Sequence, residues 1–400
     1  TNTGSSPVIA TITVTPTKPG LVYITQGSNI VVINSATNSF FKIPLTNAGP
    51  YGVAASSDGN RIYMSDPNSN SVYGINTTTN VIELTIHTID GPRGLAVSPD
   101  GNHIYITDEF TNQIAVASTV TGAVIATIPV GISPLGVAVS PDGSLVYVAN
   151  QGSKTVSVIN TSTNKVTATI PVTIQPNDVV VSPDGSLIYI SGSGPGSALI
   201  IDAASNTVLK SVATGPNSVG ESLSPDGNRL YVVNEDGNSV SVIDTKTQAV
   251  IATIPVGGSP QSISVTSNGN LAYVVGQDGN IYIIDTSTNL VINTLSVGIG
   301  SLSFGSFITP GTSCPGTPIT FTITVNSLSP SITAGPVSGS ISACLGSASA
   351  GVNIQQFTVS GSNLTGESTA KAPSGFEISS AQGNGFGGVV TIPQSAGIVS

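Results

Sequence analysis

The chain of 400 residues carries 10 basic and 20 acidic side chains, a net charge of −10. Phosphate contact needs clustered Lys and Arg, so this thin scatter of cations speaks against a nucleic-acid partner. No run of about 18 apolar residues occurs, so no membrane span is expected, and 39% hydrophobic content with ordered Val/Ile/Tyr alternation argues against disorder.

In chain order, residues 1–18 read as a leader segment or the end of a preceding domain, with one alternating strand at Val8–Val14. Residues 19–308 are a repeat. Tyr23, Tyr63, Tyr105, Tyr147, Tyr189, Tyr231 and Tyr273 lie 40 and then always 42 residues apart. A period near 40 marks one supersecondary unit stacked on copies of itself. Each unit reads as four short strands: PLGVAVS (A, Pro134–Ser140), LVYVAN (B, Leu145–Asn150), TVSVIN (C, Thr155–Asn160) and KVTATIPV (D, Lys165–Val172). The turns between them carry SPDG, QGSK and TSTN. Strand B is apolar on both faces, which places each sheet between two others. The expected fold is all-β: a seven-bladed β-propeller of four-stranded blades.

From the end of strand C to the next tyrosine the spacing is always 29, whereas tyrosine to the end of strand C varies from 11 to 13. All length variation therefore falls in the B–C loops. Those loops share a face with the D–A connections, so that face is where binding is expected and the PDG face is structural. Ser301–Ile308 repeats the text of strand A and is expected to complete blade one, with Val8–Val14 competing for the same place. Residues 309–330 read as a connector with one strand. Residues 331–400 show short alternating strands between Gly/Pro/Ser turns, as in an immunoglobulin-like β-sandwich incomplete at its C-terminus. Cys314 and Cys344 lie outside the repeats and either pair or stay free.

YVAN (Tyr147–Asn150) and YVVN (Tyr231–Asn234), each after SPDG, resemble the YVTN-type β-propeller family. YISG (Tyr189–Gly192) and YVVG (Tyr273–Gly276) depart from it in the last residue. Such repeats are seen in bacterial and archaeal cell-surface proteins, including surface-layer proteins. The tail around ISACLGSASAGVNIQQFTVSGSNL is similar to immunoglobulin-like repeats of large secreted Bacteroidetes surface proteins. These resemblances imply an extracellular or surface location and flanking domains of a longer chain.

The chemistry is sparse. Of two histidines, His87 falls on an outer strand and His103 follows a PDGN turn, so neither is expected at the axis. Asp58, Asp100, Asp142, Asp184 and Asp226 belong to A–B turns, where Asp bonds nearby N–H groups. Two acids break the pattern of strand A: Asp178 replaces a glycine (Gly52, Gly94, Gly136) and Glu221 replaces an aliphatic residue (Val53, Leu95, Val137). Either they line the channel and bind a cation or a ligand donor, or channel water solvates them. Asp108, Glu109 and Glu235 from B–C loops, with Tyr51, Arg93 and Asn177 at the start of strand A, complete an acidic face with one central Arg. No DxDxDG, Walker, GxSxG or CxxC motif occurs, so no metal, cofactor or catalytic residue is expected. The leading expectation is a non-enzymatic surface module for display or adhesion, with a protein or glycan partner on the variable face. The alternative is a propeller hydrolase or lyase of the lactonase kind with an acidic site at the channel mouth.

Overall fold

In a computed structural model of the chain, the described residues are 8–14, 20–45, 49–88, 90–303 and 305–309, with strands at 319–325, 331–334, 359–362, 368–371, 389–392 and 398–399. They fall into two compact units, Gly20–Gly311, and Thr1–Pro19 with Thr312–Ser400.

The first unit is built of four-stranded antiparallel sheets, seven among the described residues. Blade 4 is typical, with strands Pro134–Val139, Leu145–Asn150, Thr155–Asn160 and Lys165–Pro171 running from axis to rim. Blade 1 has three strands of its own, Leu21–Gln26, Asn29–Asn34 and Phe40–Pro44, and takes its inner strand from Ser301–Leu302. The C-terminal candidate thus closes the ring. Its regular pairing is short (Thr25 with Leu302, Gln26 with Ser301), then resumes at Val22–Ile308 and in a 2.8 Å bond from Tyr23 N–H to Phe307 O. The competitor Val8–Val14 instead pairs antiparallel with Ile319–Val325 in the other unit.

The repeated tyrosines sit in the core, between 0% and 3% exposed. Burying a side chain of this kind contributes roughly 1.5–3 kcal/mol. Two hydroxyls reach the C–D turn of the next blade: Tyr23 Oη donates to Asn80 Oδ1 (3.4 Å) and Tyr273 Oη to Asn38 Oδ1 (3.3 Å). The second of these crosses the closure between blades 7 and 1.

The PDG turns are structural, as expected. In blade 4, Ser140 Oγ donates to Asp142 Oδ1 (2.5 Å), which also accepts from Ser144 N–H (3.1 Å). Gly143 has φ +74°, a conformation a side chain disfavours. These donors hold Asp100, Asp142 and Asp184 down to about 2.

The second unit shows one sheet of Ser331–Ala334, Val359–Ser362 and Ile398–Val399, and another of Ser368–Lys371 with Val389–Ile392. The immunoglobulin-like expectation for 331–400 falls largely outside the described residues, as do Cys314 and Cys344.

Candidate functional site at the channel mouth

The 42-residue period stacks equivalent positions of strand A into tiers around the axis. The outer tier is Tyr51, Arg93, Leu135, Asn177, Val219 and Gln261. The next residue inward is Gly52, Gly94, Gly136, Asp178, Gly220 and Ser262. Around the outer tier lies a second ring, the residues at or just after the end of strand B: Glu109, Gln151, Ser193, Glu235 and Gln277.

Glycine dominates the inner tier because neighbouring A strands nearly touch there. A Cβ on Gly52 would lie 2.1 Å from Arg93 O, and one on Gly94 2.1 Å from Leu135 O. Strand B uses this approach to tie blades together. Ser65 Oγ accepts from Gly52 N–H (2.8 Å) and donates to Arg93 O (2.7 Å). Thr107 Oγ1 does the same with Gly94 N–H (2.7 Å) and Leu135 O (2.8 Å).

Blades 4, 6 and 7 carry Ala149, Val233 and Val275 at that position and lack the link, and blade 5 replaces it with a different one. Asp178 stands at the glycine tier, 8% exposed, on strand Gln175–Val181. Its Oδ1 accepts from Val179 N–H (2.9 Å), and its Oδ2 accepts from Glu221 N–H of blade 6 (3.3 Å). Glu221, on Ser218–Leu223, is 4% exposed and turns its Oε1 back to Ser191 N–H of blade 5 (3.1 Å). Ser191 is the counterpart of Ser65 and Thr107. Its Oγ and Glu221 Oε2 are both buried without a hydrogen-bond partner. Each such atom costs about 1–3 kcal/mol, so this junction holds destabilising polar groups, as the same tier of blade 7 does at Ser262 Oγ.

Burial pushes the Asp178 carboxyl up to about 6, against the opposing pull of the Val179 and Glu221 N–H groups. Burial raises Glu221 well above the carboxylate range, and the nearby Asp178 charge raises it further.

A cavity of about 240 Å³ opens over this junction, lined in part by Tyr51, Gln151, Asn177, Asp178, Asn217, Glu235 and Gln261. Its polar rim is cross-linked. Asn177 Oδ1 accepts from Gln151 Nε2 (2.6 Å), and Asn177 Nδ2 donates to Ser193 Oγ (2.8 Å). Glu235 Oε2 accepts from Asn217 Nδ2 (2.7 Å) and Oε1 from Gln277 Nε2 (3.4 Å). Gln261 Nε2 makes only long contacts with its own neighbours, Ser259 O (3.4 Å) and Pro260 O (3.5 Å). Arg93 pairs with Glu109 through Nε (2.7 Å) and stacks on Tyr51, 4.4 Å from the ring centroid. Burial pushes the Tyr51 phenol up to about 12; Arg93 opposes this, while Glu109, Asp178 and Glu235 add to it.

Of the residues singled out from sequence, the structure gathers Tyr51, Asn177, Asp178 and Glu235 around the cavity, with Arg93 and Glu109 paired beside Tyr51. Two placements need correction. Glu221 does not line the cavity but lies between blades 5 and 6, because Ser191 N–H draws its carboxyl back. Asp108 is fully buried at the end of strand His103–Asp108, in register with Asp66, Asn150 and Asn234. Those side chains pin their loops, as Asp66 does by accepting from Gly49 N–H (2.9 Å). Gln151, Asn217 and Gln261 were not anticipated. Gln261 shares the column of Tyr51, Arg93 and Asn177, and Gln151 that of Glu109 and Glu235, so reading each column through every blade finds both. His87 is exposed, its Nδ1 3.2 Å from Ser71 Oγ, and His103 lies at the PDG end; neither lines the cavity.

A seven-bladed β-propeller with an acidic, half-enclosed channel mouth is the class that fold and site define. Residues 46–200 match the family model described as "Lactonase, 7-bladed beta-propeller", a stretch under half of the chain. None of the curated proteins compared with the chain matches it. Among solved structures, it is similar to Kuenenia stuttgartiensis hydrazine synthase: 22% identity over 64% of this chain and 90% of that one, TM-score 0.59. It is also similar to the dihydro-heme d1 dehydrogenase NirN, solved in complex with DHE: 16% identity over 70% and 64% of the two chains, TM-score 0.54. At these identities the likeness is one of fold. The expectation of a non-enzymatic display or adhesion module is corrected by the family match, which falls on a lactonase propeller and includes Asp178.

Proposed function

We propose that the propeller is a lactonase-like hydrolase that opens a small cyclic ester at the channel mouth. The observation that carries this reading is the blade 5–6 junction, where Asp178 replaces glycine at the floor of the cavity and two polar atoms beside it stay unsatisfied. A buried acid at the floor of a cavity, in a tier that the repeat fills mostly with glycine, points to function. The lactonase match over 46–200 supports the same reaction class.

Asp178 is the general base. Both its oxygens already accept a backbone N–H, but an ionised carboxylate has about four acceptor positions, which leaves room for a water. With its carboxyl near 6, Asp178 is largely ionised at neutral pH and still basic enough to take a proton. Water attacks the ester carbonyl carbon as Asp178 removes its proton. The Gln261 amide, held only by long contacts, donates to the oxyanion. The tetrahedral intermediate then expels the ring oxygen, which takes the proton back from Asp178 to give a hydroxy acid. Glu221 is a positioning residue: its own N–H fixes Asp178 Oδ2, while its carboxyl is turned back to Ser191 N–H.

The test is proton release from a panel of five- and six-membered lactones with wild type and Asp178→Asn. Turnover by wild type with a loss of about 10²–10⁴-fold in the variant is expected. Equal rates for the two proteins would remove Asp178 from the mechanism. We further propose, from the resemblances of the repeat and the tail, that the enzyme works outside the cytoplasm beside an immunoglobulin-like domain. Fractionation of the producing cells checks the location.

A further inference from the structure

We propose that the site selects a lactone bearing a cationic group, with Glu235 as the anchor for that group; this rests on the hydrolase reading above. Asp178 and Glu235 are the charged side chains that line the cavity, and both are acidic. Arg93, the cation of the outer tier, is engaged on two sides, by Glu109 at 2.7 Å and by the Tyr51 ring at 4.4 Å. An anionic substituent would therefore enter the cavity against two carboxylates, with Arg93 already neutralised by its partner. A cationic substituent meets the reverse field, strengthened because walls of low dielectric focus it.

The two acids divide the work. Asp178 is buried, and both its oxygens accept backbone N–H groups, which suits it to proton transfer. Glu235 is half-buried in a B–C loop and accepts only amide N–H groups, one at 2.7 Å and one at 3.4 Å. It has acceptor capacity left for an ammonium. Tyr51 of blade 2, Asp178 of blade 5 and Glu235 of blade 6 line the one cavity, so the three converge across the mouth. The remaining polar lining, Gln151, Asn177, Ser193, Asn217 and Gln261, carries no charge. A cavity of about 240 Å³ holds the equivalent of about eight waters, room for a single small ring with one substituent.

The experiment compares three lactones of one ring size: γ-butyrolactone, its α-trimethylammonio derivative and its γ-carboxy derivative. The expected order of kcat/KM is cation above neutral above anion, with at least tenfold between the extremes. Added salt should narrow that gap. Glu235→Gln, checked for an unchanged melting curve, is expected to lower the cation-to-neutral ratio about tenfold. A carboxy-lactone hydrolysed as fast as the cation would overturn the proposal, as would a ratio that Glu235→Gln leaves unchanged. Binding separates the charge preference from the chemistry. Calorimetry with the non-hydrolysed analogues 3-aminopyrrolidin-2-one and pyrrolidin-2-one should give at least tenfold tighter binding of the first, lost in Glu235→Gln. That result without turnover of any lactone would sustain the cation site and reject the hydrolase reading; equal binding of both lactams would reject the cation site itself.

Discussion

At the scale of single residues, the proposed base sits where burial costs stability. Asp178 has a folded-state pKa raised to about 6, above the ordinary value near 4. A raised carboxyl favours the folded state below its unfolded pKa, and the advantage is lost as pH rises from about 4 through about 6. Above that window, ionised Asp178 costs about 3 kcal/mol relative to an unperturbed group. Asp178→Asn should therefore unfold at higher denaturant concentration than wild type at pH 8, with the gap closing at pH 4, while losing activity. A variant less stable than wild type at pH 8 would contradict the burial argument. Glu221 separates the same way. Glu221→Gln keeps an acceptor for Ser191 N–H and should fold normally, whereas Glu221→Ala leaves that N–H buried and unpaired, at about 1–3 kcal/mol. Chemical denaturation of the two variants distinguishes a carboxyl that satisfies Ser191 N–H from a dispensable one.

At the scale of strands and turns, the repeat explains what the sequence reveals and what it hides. The strands were legible because apolar pairs, PDG turns and one tyrosine recur at fixed spacing. The same spacing placed Tyr51, Asn177 and Asp178 at the mouth. Glu221 and Asp108 were misplaced for a physical reason: a column position fixes where a Cα lies, not where a long or hydrogen-bonded side chain points. Glu221 follows Ser191 N–H away from the axis, and Asp108 sits among loop-pinning residues. The turns allow a test that stays clear of the site. Gly143→Ala forces a side chain into φ +74° and should cost about 1–2 kcal/mol with kcat/KM unchanged. Asp142, held down to about 2 by Ser140 and Ser144, favours the folded state above the ordinary carboxylate range, and the benefit is lost as pH falls toward 2. The melting difference between wild type and Asp142→Asn should therefore shrink between pH 5 and pH 2.

At the scale of the whole propeller, one short C-terminal strand decides closure. Ser301–Leu302 and the Val22–Ile308 bridge cover the inner edge of blade 1, where Tyr23 N–H bonds Phe307 O. Ending the chain at residue 300 exposes that edge, and an open strand edge invites pairing with another molecule. Size-exclusion chromatography should show the shortened chain associating, and its melting should broaden; a monomer with the original transition would place closure elsewhere. Closure also fixes Tyr51 of blade 2 opposite Asp178 of blade 5, so the site depends on a complete ring. The central claim is that Asp178 acts as the base for lactone opening, and the pH dependence of kcat/KM tests it most directly. Wild type should show activity rising with pH through a single ionisation near 6, and Asp178→Asn should lose both the rate and that limb. A profile flat from pH 5 to 8, or one retained in the variant, would contradict the claim.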